Sequence, residues 1–98
     1  MPYITQEHRQ NLDPVIEKLC KDLGPMVKDE RQVLKTAGNL NYTLTRICNQ
    51  VMGKPSYAKI AIITGVLENV KQEFYRRVAA GYEDEKIQVN GDVPEYTD

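Results

Sequence analysis

A chain of 98 residues that is 41% hydrophobic and 28% charged has the composition of one globular domain, too apolar to remain disordered and too small to bury more than about 65% of its unfolded surface. The net charge of −1 conceals a division at Tyr82: residues 1–82 carry twelve Lys/Arg against eight Asp/Glu, and residues 83–98 carry one Lys against six Asp/Glu. A mildly basic body with an acidic tail falls short of the basic stripe that nucleic acid demands. No run of 18 apolar residues is present, which excludes a spanning helix, and the opening Met1–Glu7 has neither the charged nor the apolar region of a secretory leader, so residence in the cytosol is expected.

Thr5 is placed to cap a first helix, and Asp13-Pro14 reads as a second N-cap followed by the first helical position. Ile16, Leu19, Cys20 and Leu23 then share one face at i, i+3, i+4 and i+7. Gly24-Pro25 ends the segment, which is either one helix interrupted at Pro14 or two short ones. Asp29 is a cap for a second helix, in which Val33, Ala37, Leu40, Leu44, Ile47 and Val51 recur every three or four residues. Gly38-Asn39 interrupts this pattern, so Asn39 is an alternative start that would leave 25–38 as a connector. Gly53-Lys54-Pro55 closes the element.

Ser56 caps the third helix. Ile60, Ile63, Leu67, Val70 and Phe74 alternate in steps of three and four, an a/d seam continued approximately by Val78. With no proline between Ser56 and Val93, this helix is expected to run past Gly81 to about Lys86, a length of roughly 35–45 Å. Such a helix overhangs what its own chain can cover, which predicts self-association through the seam. Asn90-Gly91-Asp92 is a turn signal. The fold class expected is all-α, a three-helix bundle or helical hairpin with one long C-terminal helix. Residues 1–88 form a single helical domain on this reading, and 89–98 an acidic, partly disordered tail.

Catalytic and metal chemistry find little footing. Cys20 and Cys48 lie apart inside apolar helical patterns and read as reduced packing residues. With one histidine and no paired cysteine spacing, no metal ligand set and no cofactor are expected. Glu68 and Glu73 are five apart and diverge on a helix, Glu83, Asp84 and Glu85 form a solvated run, and His8 sits in a polar first turn. Gly38 and Gly65 stand alone rather than in a phosphate loop. An enzyme is therefore disfavoured.

The tyrosines and arginines are more suggestive. Tyr42 and Arg46 share a helix face, as do Lys71 and Tyr75, and Tyr75-Arg76-Arg77 comes late on the long helix, close to Tyr82. Guanidinium groups fork onto phosphate while tyrosines stack on a base, so Tyr42, Arg46, Tyr75, Arg76, Arg77 and Tyr82 are candidate ligand contacts. The plainer reading of the same residues is amphipathic packing, with Glu73 and Arg77 as a surface pair at i, i+4.

The segments 39–46 (Asn-Leu-Asn-Tyr-Thr-Leu-Thr-Arg), 65–68 (Gly-Val-Leu-Glu), 73–78 (Glu-Phe-Tyr-Arg-Arg-Val) and 82–87 (Tyr-Glu-Asp-Glu-Lys-Ile), followed by Asn90-Gly91-Asp92-Val93, resemble a family of short proteins of tailed bacteriophages. Tyr3-Ile4 and Leu12-Asp13-Pro14 fit the same pattern, which spans most of the chain. The connector 24–38 is longer than in that family, and Ala80-Gly81 precede Tyr82 where a proline is expected. The resemblance implies phage origin and residence in the cytoplasm of the infected bacterium, and it carries over no activity and no functional residue.

Phages encode small proteins that cap host enzymes or sequester nucleotide signals of antiviral defence. The leading expectation is thus a helical homo-oligomer that sequesters a nucleotide-like immune signal between subunits. The alternative is a protein-binding inhibitor or accessory factor that uses its acidic C-terminal segment against a host or phage protein. A third is a purely structural virion or replication component. No membrane partner is expected.

Overall fold

A computed structural model describes residues 4–27 and 29–97; Tyr3, named above, lies outside them. The described residues are all helical, with no strand. The chain divides into two compact units, residues 1–54 and 55–98, at the Gly53–Pro55 punctuation.

The first unit is a hairpin of α1 (Gln6–Leu23) and α2 (Glu30–Met52). Thr5 caps α1 by accepting from the His8 N–H at 3.4 Å. The helix runs through Pro14 unbroken, so Asp13 is an interior residue rather than a cap. Proline lacks an N–H to donate to the Gln10 carbonyl, and this stretch is exposed to water, which can take that bond. At the far end Gly24 adopts φ 86° and donates to the Cys20 carbonyl at 3.1 Å.

Asp29 caps α2 by accepting from the Arg31 N–H at 2.9 Å. The helix then continues through Gly38-Asn39, so 25–38 is not a long connector and Asn39 does not begin a new helix. Asn39 acts across the hairpin instead: its side-chain amide donates to the Leu23 carbonyl at 3.2 Å, satisfying one of the orphan carbonyls at the end of α1. One turn earlier Thr36 is buried at 6% exposure and accepts from the Gln32 amide at 3.3 Å. The hairpin is therefore locked by a polar seam of Gln32, Thr36 and Asn39. The apolar series of α2 is left largely outside it, with Leu40, Leu44, Ile47 and Val51 all exposed.

Gly24 closes this lock. A Cβ added there would meet the Gln32 amide nitrogen at 3.2 Å while holding a left-handed φ that side chains disfavour. Gly24→Ala is expected to cost about 1–2 kcal/mol, read as a lowered midpoint of thermal unfolding by circular dichroism, whereas Gly65→Ala, where nothing lies within 4 Å of the added Cβ, should leave the midpoint level or raised.

The second unit is one helical rod. Ser56 caps α3 (Tyr57–Phe74) by accepting from the Lys59 N–H at 3.2 Å. The rod widens to a π-helical turn over Tyr75–Ala79, where the Ala80 N–H reaches back to the Tyr75 carbonyl, and resumes as α4 (Ala80–Asn90). It thus continues beyond Lys86 into the segment assigned to the tail. Gly91 stops it at φ 83°, and Pro94–Tyr96 makes a single 3₁₀ turn. The widened turn has a reason in the apolar pattern. The seam steps by three and four as far as Phe74, but the next apolar residues, Val78 and Tyr82, follow at two successive steps of four. A π turn absorbs one residue; without it the later residues would rotate about 100° off the stripe.

Among the described residues no apolar side chain is buried. Two separate compact domains of these sizes would together expose about 6,900 Å², yet the chain exposes 9058 Å². Each unit holds its shape by helical hydrogen bonds and caps, with most of its apolar side chains exposed and Leu19, Leu23, Val33 and Ile63 half-buried.

Candidate functional site

The six tyrosine and arginine candidates fall into two groups, one in each unit. In the hairpin, Tyr42 and Arg46 come together on α2 with the Arg46 guanidinium carbon 5.9 Å from the Tyr42 ring centroid. This is a cation–π contact within the useful range, which holds the guanidinium in place without consuming its hydrogen-bond donors. The pair borders a recess of about 230 Å³ whose other walls are Leu19 of α1 and Thr43, Ile47 and Gln50 of α2. Arg46 is the only charged side chain lining that recess.

In the rod the candidates are already partnered. Glu73, half-buried, accepts from Arg76 at 2.9 Å and also from the Arg77 guanidinium. The Tyr75 hydroxyl donates to the Glu83 carboxylate at 3.0 Å, and Lys86 lies over the Tyr82 ring at 5.5 Å. Arg76 and Arg77 are thus half-neutralised by one carboxylate. Exposed pairs of this kind contribute at most about 1 kcal/mol to stability, so their main effect is to lower the charge an anion would meet. The seam residues Ile60, Leu67, Val70 and Phe74 stay exposed and Ile63 is half-buried.

A negative carboxylate hydrogen-bonded to the Tyr75 phenol, and close enough to repel a phenolate, raises the phenol above its ordinary range. The neutral phenol is the favoured form in the fold, so this contact is intact below the unfolded value of about 10 and is lost as pH rises through the higher folded value. A spectrophotometric titration of the phenolate band should show Glu83→Gln lowering the pH at which Tyr75 ionises, and an unchanged titration would remove the Glu83 contact as the cause.

A second concavity, about 490 Å³, opens at the hairpin turn between Glu17, Cys20, Leu23, Pro25, Met26 and Leu40. Its walls are mainly apolar and it is large enough for a small ligand, but it contains none of the six candidates. Among the described residues no cluster of three or more His, Cys, Asp and Glu side chains is placed to hold a metal ion, and no helix is long and apolar enough to cross a membrane.

A domain of unknown function, DUF6899, matches residues 1–93. The chain belongs to this family. No curated protein and no solved structure matches it.

Part of that geometry escapes sequence reasoning. Leu19 joins Tyr42 and Arg46 only because α1 folds back on α2. The Glu73 bridge was half legible, since Arg77 stands at i+4 and Arg76 at i+3. The Tyr75–Glu83 contact spans eight residues along the rod, further than any spacing rule reaches.

Proposed function

We propose that this DUF6899 chain is a small, non-catalytic binding protein of phage origin that works as a homo-oligomer and sequesters a nucleotide-like signal of host defence in a cleft between subunits. The observation that carries it is the outward-facing apolar surface: with no apolar side chain buried among the described residues, the folded state must draw its hydrophobic stabilisation from contacts beyond each unit. Self-association then covers the apolar stripes of neighbouring copies.

The Tyr42–Arg46 recess supplies the ligand chemistry. Its 230 Å³ falls below the roughly 300–1,000 Å³ of a complete small-molecule site, which suits a half-site completed by a neighbouring copy. A base stacks on the ring face of Tyr42 that Arg46 leaves open, and Arg46 forks onto a phosphate. The phage part of the reading rests on the resemblance carried by residues 39–46, 65–68, 73–78 and 82–93. The test has two stages: light scattering on the intact chain at tens of micromolar, then calorimetry against cyclic dinucleotides and ADP-ribose derivatives. A monomeric mass defeats the shared cleft. No heat across the panel, with an oligomeric mass, defeats the nucleotide.

A second reading has its own observation. Tyr96 is 82% exposed on the 3₁₀ turn, with Val93 also exposed and Asp92 and Glu95 adjacent. An acidic segment presenting a tyrosine is suited to a basic protein surface. Deleting residues 91–98 abolishes binding if that segment is the contact and spares nucleotide binding if the recess is.

A further inference from the structure

We propose that the rod Tyr57–Asn90 pairs with the same rod of a second copy in antiparallel orientation, with Phe74 on the two-fold axis. This rests on the self-association in the proposed function and specifies its surface and direction.

The stripe is nearly symmetric about Phe74. Counting outward, Val70, Leu67, Ile63 and Ile60 lie 4, 7, 11 and 14 residues toward the N-terminus, while Val78, Tyr82, Lys86 and Val89 lie 4, 8, 12 and 15 residues toward the C-terminus. The extra residue at Tyr82 and Val89 is the one the π turn over Tyr75–Ala79 absorbs, so the two halves present matching rows on one face. About a two-fold axis, Phe74 meets the partner's Phe74, Val70 meets the partner's Val78, Leu67 meets the partner's Tyr82 and Ile60 meets the partner's Val89. One layer is mixed, Ile63 against the partner's Lys86, and the partner's Glu85 next to it brings an opposite charge toward Lys59. A two-fold interface of this kind is isologous and closes at two copies.

Charge selects the direction. The start of the rod has no acidic residue in its first turn and carries Lys59. Its end has no basic residue in its last turn and carries Glu83, Asp84 and Glu85, with Asp92 and Glu95 beyond. Both ends bear the sign that opposes the helix's own macrodipole. In an antiparallel pair each end faces its complement, both in side-chain charge and in dipole, whereas a parallel pair sets the run Glu83-Asp84-Glu85 beside itself. Over both units together the excess of about 2,200 Å² over compact domains exceeds the roughly 800 Å² that each partner contributes to a standard interface, and on the rod Val70, Phe74, Tyr82 and Val89 are all more than half exposed.

The experiment uses the full chain. Light scattering first fixes the mass, and then Ala58→Cys in a Cys20→Ser/Cys48→Ser background is spin-labelled on the face opposite the stripe. At 1.5 Å per residue the two labels of an antiparallel pair stand about 50 Å apart, against less than about 25 Å for a parallel pair. A distance near 50 Å is expected. An oligomeric mass with a short distance, or with neither distance, overturns the antiparallel rod pair and leaves self-association standing; a monomeric mass overturns both. Carbodiimide cross-linking of the unaltered chain, as a mixture of light and ¹⁵N-labelled copies, gives a check free of substitutions. Intermolecular Lys59–Glu85 links are expected, and intermolecular links joining only like ends overturn the pairing.

Discussion

Phe74→Asp is expected to convert the chain to a monomer and to abolish most of its helical circular dichroism at 25 °C. Phe74 is 65% exposed within its own chain, so judged on one copy alone the substitution should cost less than about 0.5 kcal/mol, as at an ordinary surface position. If the seam is covered by a second copy, the same change removes a buried aromatic, worth about 3–5 kcal/mol when truncated in a core. It also introduces a carboxylate that would need a partner, and a two-fold pair suffers both losses twice. Set against a total stability of about 5–15 kcal/mol for a domain, that exceeds what the assembly can lose. Tyr57→Asp is the matched control, because Tyr57 is 91% exposed and lies off the stripe; it should change stability by no more than about 0.5 kcal/mol. The unaltered chain should also unfold at a temperature that rises with its concentration, the mass-action signature of an obligate assembly. A Phe74→Asp chain with unchanged mass, ellipticity and melting would remove the seam from the account.

What the sequence announces and what it withholds divide along a physical line. Thr5, Asp29 and Ser56 were read as caps, and each accepts a backbone N–H two or three residues on. Gly24 and Gly53 read as stops and Gly91 as part of a turn, and each takes a positive φ. These signals involve neighbours within one turn, where residue type alone decides the hydrogen bond. Pro14 and Gly38-Asn39 leave two readings open because the same local rules carry an unfavourable sign there, and a hydrogen bond between helices decides the matter for Asn39. The π turn was foreshadowed by Val78, which continues the seam only approximately, but its position depends on keeping Tyr82 and Val89 on one stripe. At the candidate site, Tyr42 with Arg46 was legible as an i, i+4 pair, and the recess beside them was not, because Leu19 arrives from another helix. The anion-binding expectation for Arg76 and Arg77 needed the most revision, since Glu73 engages both.

That revision makes the recess the better place to look for a ligand and gives the second large effect. Once a nucleotide is found that binds, Arg46→Ala should weaken it about 30- to 1,000-fold, the range for losing a charge-assisted contact of about 2–4 kcal/mol at a binding hot spot. Tyr42→Ala should cost about 5- to 150-fold through the lost stacking of about 1–3 kcal/mol. Both side chains are exposed, so neither change should lower the melting temperature appreciably, and calorimetry on chains of unchanged mass separates binding from folding. Arg46→Lys should recover only part of the affinity, because an ammonium group cannot reproduce the planar fork. Arg76→Ala and Arg77→Ala should each cost less than fivefold: either guanidinium must share Glu73 before it can serve a phosphate, and removing one leaves the other still paired. The reverse ranking, with Arg76 or Arg77 indispensable and Arg46 neutral, would move the ligand to the rod, where a phosphate would have to displace the Glu73 carboxylate from both guanidinium groups.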